Sequence, residues 1–303
     1  MYMPKYTYQI EGGLKHTWRV DNVIETANAK NELVFTDRQK KKHKCILAMM
    51  RLLMNEIKQR DIKLFAISGT LLGAKRNKGL IPYDDDGDFG FTMTEYNKLK
   101  ELSRSFSHPE YKLYTALDCG FRMVNKGLYI AHLDLFAMGI DEDPDKIVHI
   151  SPIMDEKPTF YTQYLFPKDW MDRSCIEKLE WCNFEDFQIP CPTNAEEQLK
   201  HIYSPNCLTT FVPDKRNVSG LDTHEVLHYI EPIGCKTMEL FERLNQNIPA
   251  QLQPKDRRGY FTLLFSRFAF EMTNIDFESS TAAKKQRMQR ILDDYMKYKG
   301  ILI

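Results

Sequence analysis

Between residues 36 and 140 the apolar positions change period several times, and each change marks an element. Ile46, Met49, Met50, Leu53 and Ile57 recur at the i, i+3, i+4 spacing of one helix face. Thr36 stands before that run as an N-cap, with Asp37 in the first turn. Lys63 to Ile67 is a short apolar run of buried-strand type, followed by Ser68-Gly69-Thr70 and a short helical stretch from Leu71 to Arg76. Asp86 to Phe91 alternates charged and aromatic positions, as a strand does. Thr94-Glu95-Tyr96 then starts a helix with Tyr96, Leu99, Leu102 and Phe106 on one face, and strands are expected at 111–115, 121–124 and 128–138. Ahead of all this, residues 1–35 alternate around Tyr6 to Ile10 and contain Gly12-Gly13, which predicts an arm or edge hairpin.

Further along, the periodicity weakens. Phe166-Pro167 and Phe187 to Pro192 read as irregular, proline-punctuated segments. Thr193-Asn194 followed by Glu196 and Glu197 reads as a capped helix start, continued by Leu199, Ile202 and Tyr203. Helices are expected near 226–229, 236–244, 260–270 and 284–298. The domain reading is an N-terminal arm at 1–35, a catalytic domain at 36–212 and a mainly helical region at 213–303.

Two adjacent stretches carry the chemistry. In Ser68-Gly69-Thr70 a hydroxyl and a residue without Cβ let main-chain N–H groups approach an anion, and the helix that follows turns its positive end towards it. That makes Ser68, Gly69 and Thr70 candidate phosphate contacts, with Lys75, Arg76 and Lys78 as further cations or as surface charge. Then Asp84, Asp85, Asp86 and Asp88 put four carboxylates into five positions, which repel unless cations neutralise them. On a strand, Asp86 and Asp88 share a face about 6–7 Å apart and can converge on a hard divalent ion. A solvated acidic turn is the plain alternative. Asp134 lies alone in the apolar run Ala131 to Phe136, so it needs a partner: an ion pair with lysine or arginine, or a role beside Asp86 and Asp88 as metal ligand or general base. His132, two residues earlier on the same face, reads as a hydrogen-bonded strand residue.

Composition narrows the setting. The 303 residues suffice for a substantial core. Lysines plus arginines equal aspartates plus glutamates, 42 each, so no net field selects nucleic acid. The basic run Lys40 to Lys44 lacks interleaved aromatics and reads as a solvated helix face. No apolar run is long enough for a membrane span, and the first residues lack a signal-peptide core, so a cytoplasmic setting is expected. Seven cysteines at irregular spacing predict reduced thiols. The group Cys175, Cys182, Cys191 and Cys207 reads as buried free thiols ahead of a zinc site.

A hydroxyl-glycine turn, a carboxylate pair on the next strand and one carboxylate on a later strand is the layout of the nucleotidyltransferase superfamily. More specifically, Ser68 to Asp88 resembles the signature of the LicD family, which includes bacterial phosphocholine transferases and, as relatives, fukutin and the fukutin-related protein. Leu133-Asp134-Leu135-Phe136 resembles the stretch carrying the family's third aspartate, and the likeness extends over roughly residues 40–205. Tyr83 stands where the family usually has tryptophan. Gly87 replaces an apolar β-branched residue, which loosens a strand and allows a bulge. Tyr203 to Cys207 departs from the usual Tyr-Gly ending of the downstream motif.

The resemblance implies an α/β, nucleotidyltransferase-like mixed sheet flanked by helices, with a helical C-terminal extension. It implies transfer of a phosphorylated small alcohol, such as phosphocholine or an alditol phosphate, from a CDP-activated donor to a glycan hydroxyl. Mg²⁺ or Mn²⁺ would sit on Asp86, Asp88 and Asp134, with Asp84 or Asp134 as proton acceptor. Transfer of a nucleotide to a small molecule or protein, and a non-catalytic scaffold that binds nucleotide or sugar, are the alternatives.

Overall fold

The computed structural model describes residues 5–19, 29–116, 119–126, 128–140, 143–150 and 170–210. The Phe166-Pro167 segment and the helices expected beyond residue 213 lie outside the described residues. Strands β1 (Lys5–Gln9) and β2 (Lys15–Arg19) form an antiparallel hairpin, as the alternation predicts. Helix α1 (Asp37–Gln59) starts at Thr36. The Thr36 hydroxyl accepts the Gln39 N–H at 3.2 Å, and the Gln39 side chain accepts the Thr36 N–H at 2.8 Å, a complete capping box. Its predicted apolar face is buried, with Ile46, Met49, Met50 and Leu53 at 0% exposure.

The chain then runs through β3 (Phe65–Ala66), α2 (Ser68–Leu72), a π-helical turn at Gly73–Asn77, β4 (Asp86–Thr92), α3 (Tyr96–Ser105), β5 (Tyr111–Ala116), β6 (Gly120–Asn125) and β7 (Leu128–Ile140). Strands β8 (Lys146–His149) and β9 (Met171–Asp172) follow, then α4 (Ser174–Glu177), β10 (Leu179–Phe184), β11 (Phe187–Pro192) and α5 (Glu196–Ile202). One seven-stranded mixed sheet has the path β3-β4-β7-β6-β5, with β8 beside β7 and β9 beside β8. Strand β4 runs parallel to β7, whereas β3 and β6 pair antiparallel to their neighbours. Alternation along β4 puts Phe89 and Phe91 fully into the core, and β7 buries Ala131, Leu133, Leu135 and Ala137 completely. The α/β mixed sheet flanked by helices is therefore as expected.

Several local expectations are corrected. Helical structure begins at Ser68, not Leu71, so Ser68-Gly69-Thr70 is the first turn of α2 rather than a loop before it. Phe187 to Pro192 is a regular strand in a hairpin with β10, its prolines opposite Trp181 and Leu179. Helix α5 begins after Ala195 without a side-chain cap, and Thr193 instead donates its N–H to the Cys175 carbonyl at 2.9 Å. Within α5, Leu199 is buried while Tyr203, just past its end, is 44% exposed. The thiols of Cys175, Cys191 and Cys207 are free and buried, and that of Cys182 is free and half-buried.

Gly87 does not introduce a bulge: the β4–β7 register runs unbroken from Asp86↔His132 to Thr92↔Met138. Close packing favours glycine there: a Cβ would lie 2.4 Å from Met50 Cε and 2.7 Å from Leu133 Cδ2, so the ends of those side chains would have to move to admit one. Helix α1 thus sits close on the face of β4 opposite its carboxylates. A Gly87→Val substitution is expected to lower stability by about 1–3 kcal/mol through overpacking, and a companion Met50→Ala to recover part of that loss. Chemical denaturation of the three variants measures it; an unchanged midpoint for Gly87→Val would show that α1 packs less tightly than described.

Candidate active site

The parallel pairing of β4 and β7 sets Asp86 beside His132 and Asp88 beside Asp134. Side chains two residues apart on one strand share a face, so the sheet gathers three carboxylates and an imidazole onto one patch. The chain immediately before β4 adds Asp84 and Asp85, and carboxylate oxygens of Asp84, Asp85 and Asp86 all lie within 4.8 Å of one another. All three are half-buried.

This crowding has an electrostatic price that shows in the acidities. Burial and then repulsion by Asp85 push the Asp84 carboxyl up to about 7, although Arg76 and Lys42 pull it back. Asp86 is raised well above the usual carboxylate range, by burial first and then by Asp88, Asp85, Asp84 and Asp134 in turn. Asp86 is the electrostatic centre of the group, since it feels all four other aspartates.

Neighbouring elements supply the compensating charge. Lys42 from α1 is nearly buried and places Nζ 3.7 Å from Asp85 Oδ2. Beside it His43 is 1% exposed, edge-on to the Phe35 ring, and burial reinforced by Lys42 lowers its pKa to about 4. The expectation that Lys40 to Lys44 is a solvated face therefore fails at Lys42 and His43, where the helix turns to the acidic segment. On β6, Arg122 lies directly across from Asp134. Its Nη2 donates to Asp134 Oδ2 at 2.9 Å and its Nε to Oδ1, a two-point clamp. Cys119 Sγ lies 3.8 Å from Oδ1, and His132 Nε2 lies 3.8 Å from both Asp134 Oδ2 and Asp86 Oδ2. Asp134 thus has the arginine partner that its burial demanded, and remains next to Asp88 in the sheet.

The α2 segment buttresses the same patch. The Thr70 hydroxyl accepts the Asp88 N–H at 2.9 Å, and the Ile67 N–H donates to the Asp88 carbonyl at 3.2 Å. Gly69 packs against Asp84, where a Cβ would stand 3.1 Å from Oδ2. Ser68 takes a positive φ of 46°, unusual for a residue with a side chain. Ser68, Gly69, Thr70, Asp84, Asp86, Asp88 and Asp134 are therefore brought together.

Of the three basic candidates, Lys75 and Arg76 bond to groups outside the carboxylate patch, although the Arg76 charge still acts on Asp84. Lys75 is ion-paired with Glu180 on β10. Arg76 donates to the carbonyls of Cys207 and Thr210, at 3.0 Å each, and to Asn77 Oδ1. Lys78 is exposed, in a left-handed conformation that ends the π-helical turn. Tyr83 keeps an aromatic wall: its ring lies 4.9 Å from Phe35 and its hydroxyl donates to the Val34 carbonyl at 3.0 Å.

Sequence reasoning missed Lys42, Arg122 and Glu185. Glu185 occupies the β10–β11 turn, and its buried carboxylate accepts the Leu14 N–H at 2.7 Å and the Leu80 N–H at 3.1 Å, with His16 Nε2 at 2.8 Å. It ties both hairpins to the chain that leads into Asp84. The signal for Lys42 was a lysine four residues before Ile46 on the buried face; Arg122 was the one charge in the run 119–124.

The profile of the LicD/FKTN/FKRP nucleotidyltransferase domain matches residues 61–194, from the end of α1 to the end of β11. Residues 61–194 are thus similar to the nucleotidyltransferase domain of the LicD family. An uncharacterized protein of Rickettsia typhi is 29% identical over 68% of this chain and 70% of its own length. One from Rickettsia prowazekii is 24% identical over 60% of this chain and 76% of its own. The lipopolysaccharide cholinephosphotransferase LicD of Haemophilus influenzae is 42% identical over 50 residues, 16% of this chain and 19% of that enzyme. This similarity points to a transferase of the LicD kind. Among the described residues no helix is long and apolar enough to cross a membrane.

Two outcomes are expected from this geometry. A carboxyl whose folded pKa is raised contributes stability that is full below its unfolded value near 4 and is lost as pH rises through the folded value. For Asp84 that window runs from about pH 4 to about 7. Without metal, Asp84→Asn should therefore gain stability over the parent chain progressively across the window and hold the gain above it. His43 works in the opposite sense, losing stability as pH falls from about 6.5 towards 4, so only the difference between parent and variant isolates Asp84; a difference independent of pH refutes the assignment. Thr70→Val should cost about 1–3 kcal/mol by orphaning the Asp88 N–H, and Thr70→Ser should restore most of it in denaturant titrations.

Proposed function

We propose that this LicD-like domain is a divalent-metal-dependent phosphotransferase that moves a phosphorylated small alcohol from a CDP-activated donor to a glycan hydroxyl. The observation that carries this reading is the gathering of the Asp84, Asp85 and Asp86 carboxylates within 4.8 Å of one another where the chain enters β4, with Asp88 two residues further along the strand and the first turn of α2 alongside. The donor set is all oxygen, and burial together with mutual repulsion raises the pKa of Asp84 and Asp86, a cost to the charged forms that a hard cation would relieve. Mg²⁺ or Mn²⁺ fits such a set, held by Asp86 and Asp88 with Asp84, Asp85 or Asp134 completing it. When bound it would neutralise donor phosphate oxygens and the charge that develops on the leaving group.

The protein's own groups supply position and charge. Arg122 and Lys42 already offset Asp134 and Asp85, so the patch is not uniformly negative towards a diphosphate. Thr70 holds Asp88 in register, and Ser68 and Gly69 border the acidic segment from the α2 side. Asp84, with a pKa of about 7, is poised to accept the proton of an acceptor hydroxyl near neutral pH when it is not engaged by metal. Most of the acceleration would come from alignment and charge neutralisation.

Thermal unfolding with CDP-linked donors and other nucleotides, with and without Mn²⁺, tests the reading on the parent chain and on Asp86→Asn/Asp88→Asn. A ligand at 100 times its Kd adds about 2.7 kcal/mol, on the order of 4–5 °C for a chain of this size. The expected result is a Mn²⁺-dependent rise with CDP compounds that the double variant abolishes. A rise with ATP or UTP alone would replace the reading with nucleotidyl transfer. No rise with any nucleotide and metal would replace it with a binding scaffold.

A further inference from the structure

A cavity of about 550 Å³ opens by Thr92, six residues along β4 from Asp86, or about 20 Å at the rise of a strand. Its volume falls within the range of small-molecule sites. The floor is apolar: Ile57, Ile62, Leu64 and Phe65, each at 5% exposure or less. Leu179 and Trp181 of β10 form a wall, and Trp181 is 47% exposed, an unusual cost for so large an apolar ring.

The rim is cationic. Lys58, Lys63 and Lys178 line the cavity, and none of the three ammonium groups enters an ion pair among the described residues. Lys58 Nζ lies 4.6 Å from the centre of the Trp181 ring, held over the mouth. Two acids, Asp61 and Glu177, stand on the rim against the three lysines, so it keeps a net positive charge. An apolar floor beneath unpaired cations complements one kind of molecule: an apolar chain that ends in an anion.

We propose that this cavity binds a single-chain amphipathic anion, with the chain on the Ile57, Ile62, Leu64 and Phe65 floor and a phosphate or carboxylate head among Lys58, Lys63 and Lys178. The site shares none of its lining with the carboxylate patch, so it stands independently of the transferase reading. Calorimetric titration of the full chain with dodecyl phosphate, below its micellar concentration, tests it, with dodecyl maltoside and inorganic phosphate as separate titrants. Dodecyl phosphate is expected to bind saturably with one-to-one stoichiometry. Lys58→Glu/Lys178→Glu, on exposed positions, should weaken it at least tenfold with unfolding temperature unchanged, and Leu179→Trp should weaken it comparably by filling the space. Asp86→Asn/Asp88→Asn should bind as the parent chain does, which separates this outcome from that of the nucleotide experiment. Equal binding of dodecyl maltoside, binding of inorganic phosphate with the same affinity, retention of affinity in both cavity variants, or no saturable binding would each overturn the proposal.

Discussion

The carboxylates that crowd the start of β4 set the terms for the surrounding structure. Asp84, Asp85, Asp86 and Asp88 leave the chain within five positions, and the parallel pairing with β7 adds Asp134 at the level of Asp88. Like charges this close in a half-buried site raise one another's pKa, and the fold answers from three directions. Helix α1 sends in Lys42, β6 sets Arg122 across from Asp134, and the first turn of α2 pins the Asp88 backbone through Thr70. The apolar side of the same elements packs closely: Met50 and Leu133 occupy the space that a side chain at Gly87 would take.

The chain that delivers Asp84 is held from outside the sheet. Glu185, in the turn between β10 and β11, accepts N–H groups from both Leu14 and Leu80, and its own N–H donates to the Lys78 carbonyl. Asp186 next to it pairs with Arg51 of α1, which also donates to the Gly12 carbonyl at 2.7 Å. Buried carboxylates are tolerated when backbone donors satisfy them, and here that requirement clasps two hairpins to the segment between the π-helical turn and β4. Lys75 and Arg76 reinforce the same assembly by reaching Glu180 and the carbonyls after α5. Two of the three basic residues that the sequence offered as phosphate contacts, Lys75 and Arg76, thus help to fix the frame around the site.

Much of this was legible from spacing. The capped helix with its Ile46 to Ile57 face, the strands after residue 110 and the strand periodicity of Asp86 to Phe91 follow from local rules, because burial on one face imposes a period of 3.6 or 2 on the sequence. The gathering of Asp86 and Asp88 on one face, and the demand of Asp134 for a partner, follow from the same periodicity and from the cost of burying a lone charge. The identity of that partner does not. Arg122 is twelve residues away and meets Asp134 only through the β6–β7 register, which no local pattern encodes.

The sequence by itself determined the α1 helix face, the strands β3 to β7, the carboxylate-rich motif and the LicD signature, since each rests on residues close together in the chain. Only the tertiary structure decided which charges are spent on which: Lys42 on Asp85, Lys75 on Glu180, Arg122 on Asp134, Glu185 on two backbone donors. It also decided that Gly87 tightens β4 where it was expected to loosen it, because the missing side chain is replaced by Met50 and Leu133 from other elements. The reason is the same in every case: ion pairing and close packing depend on distances across the fold, and those are set by sheet register and helix docking between segments far apart in sequence.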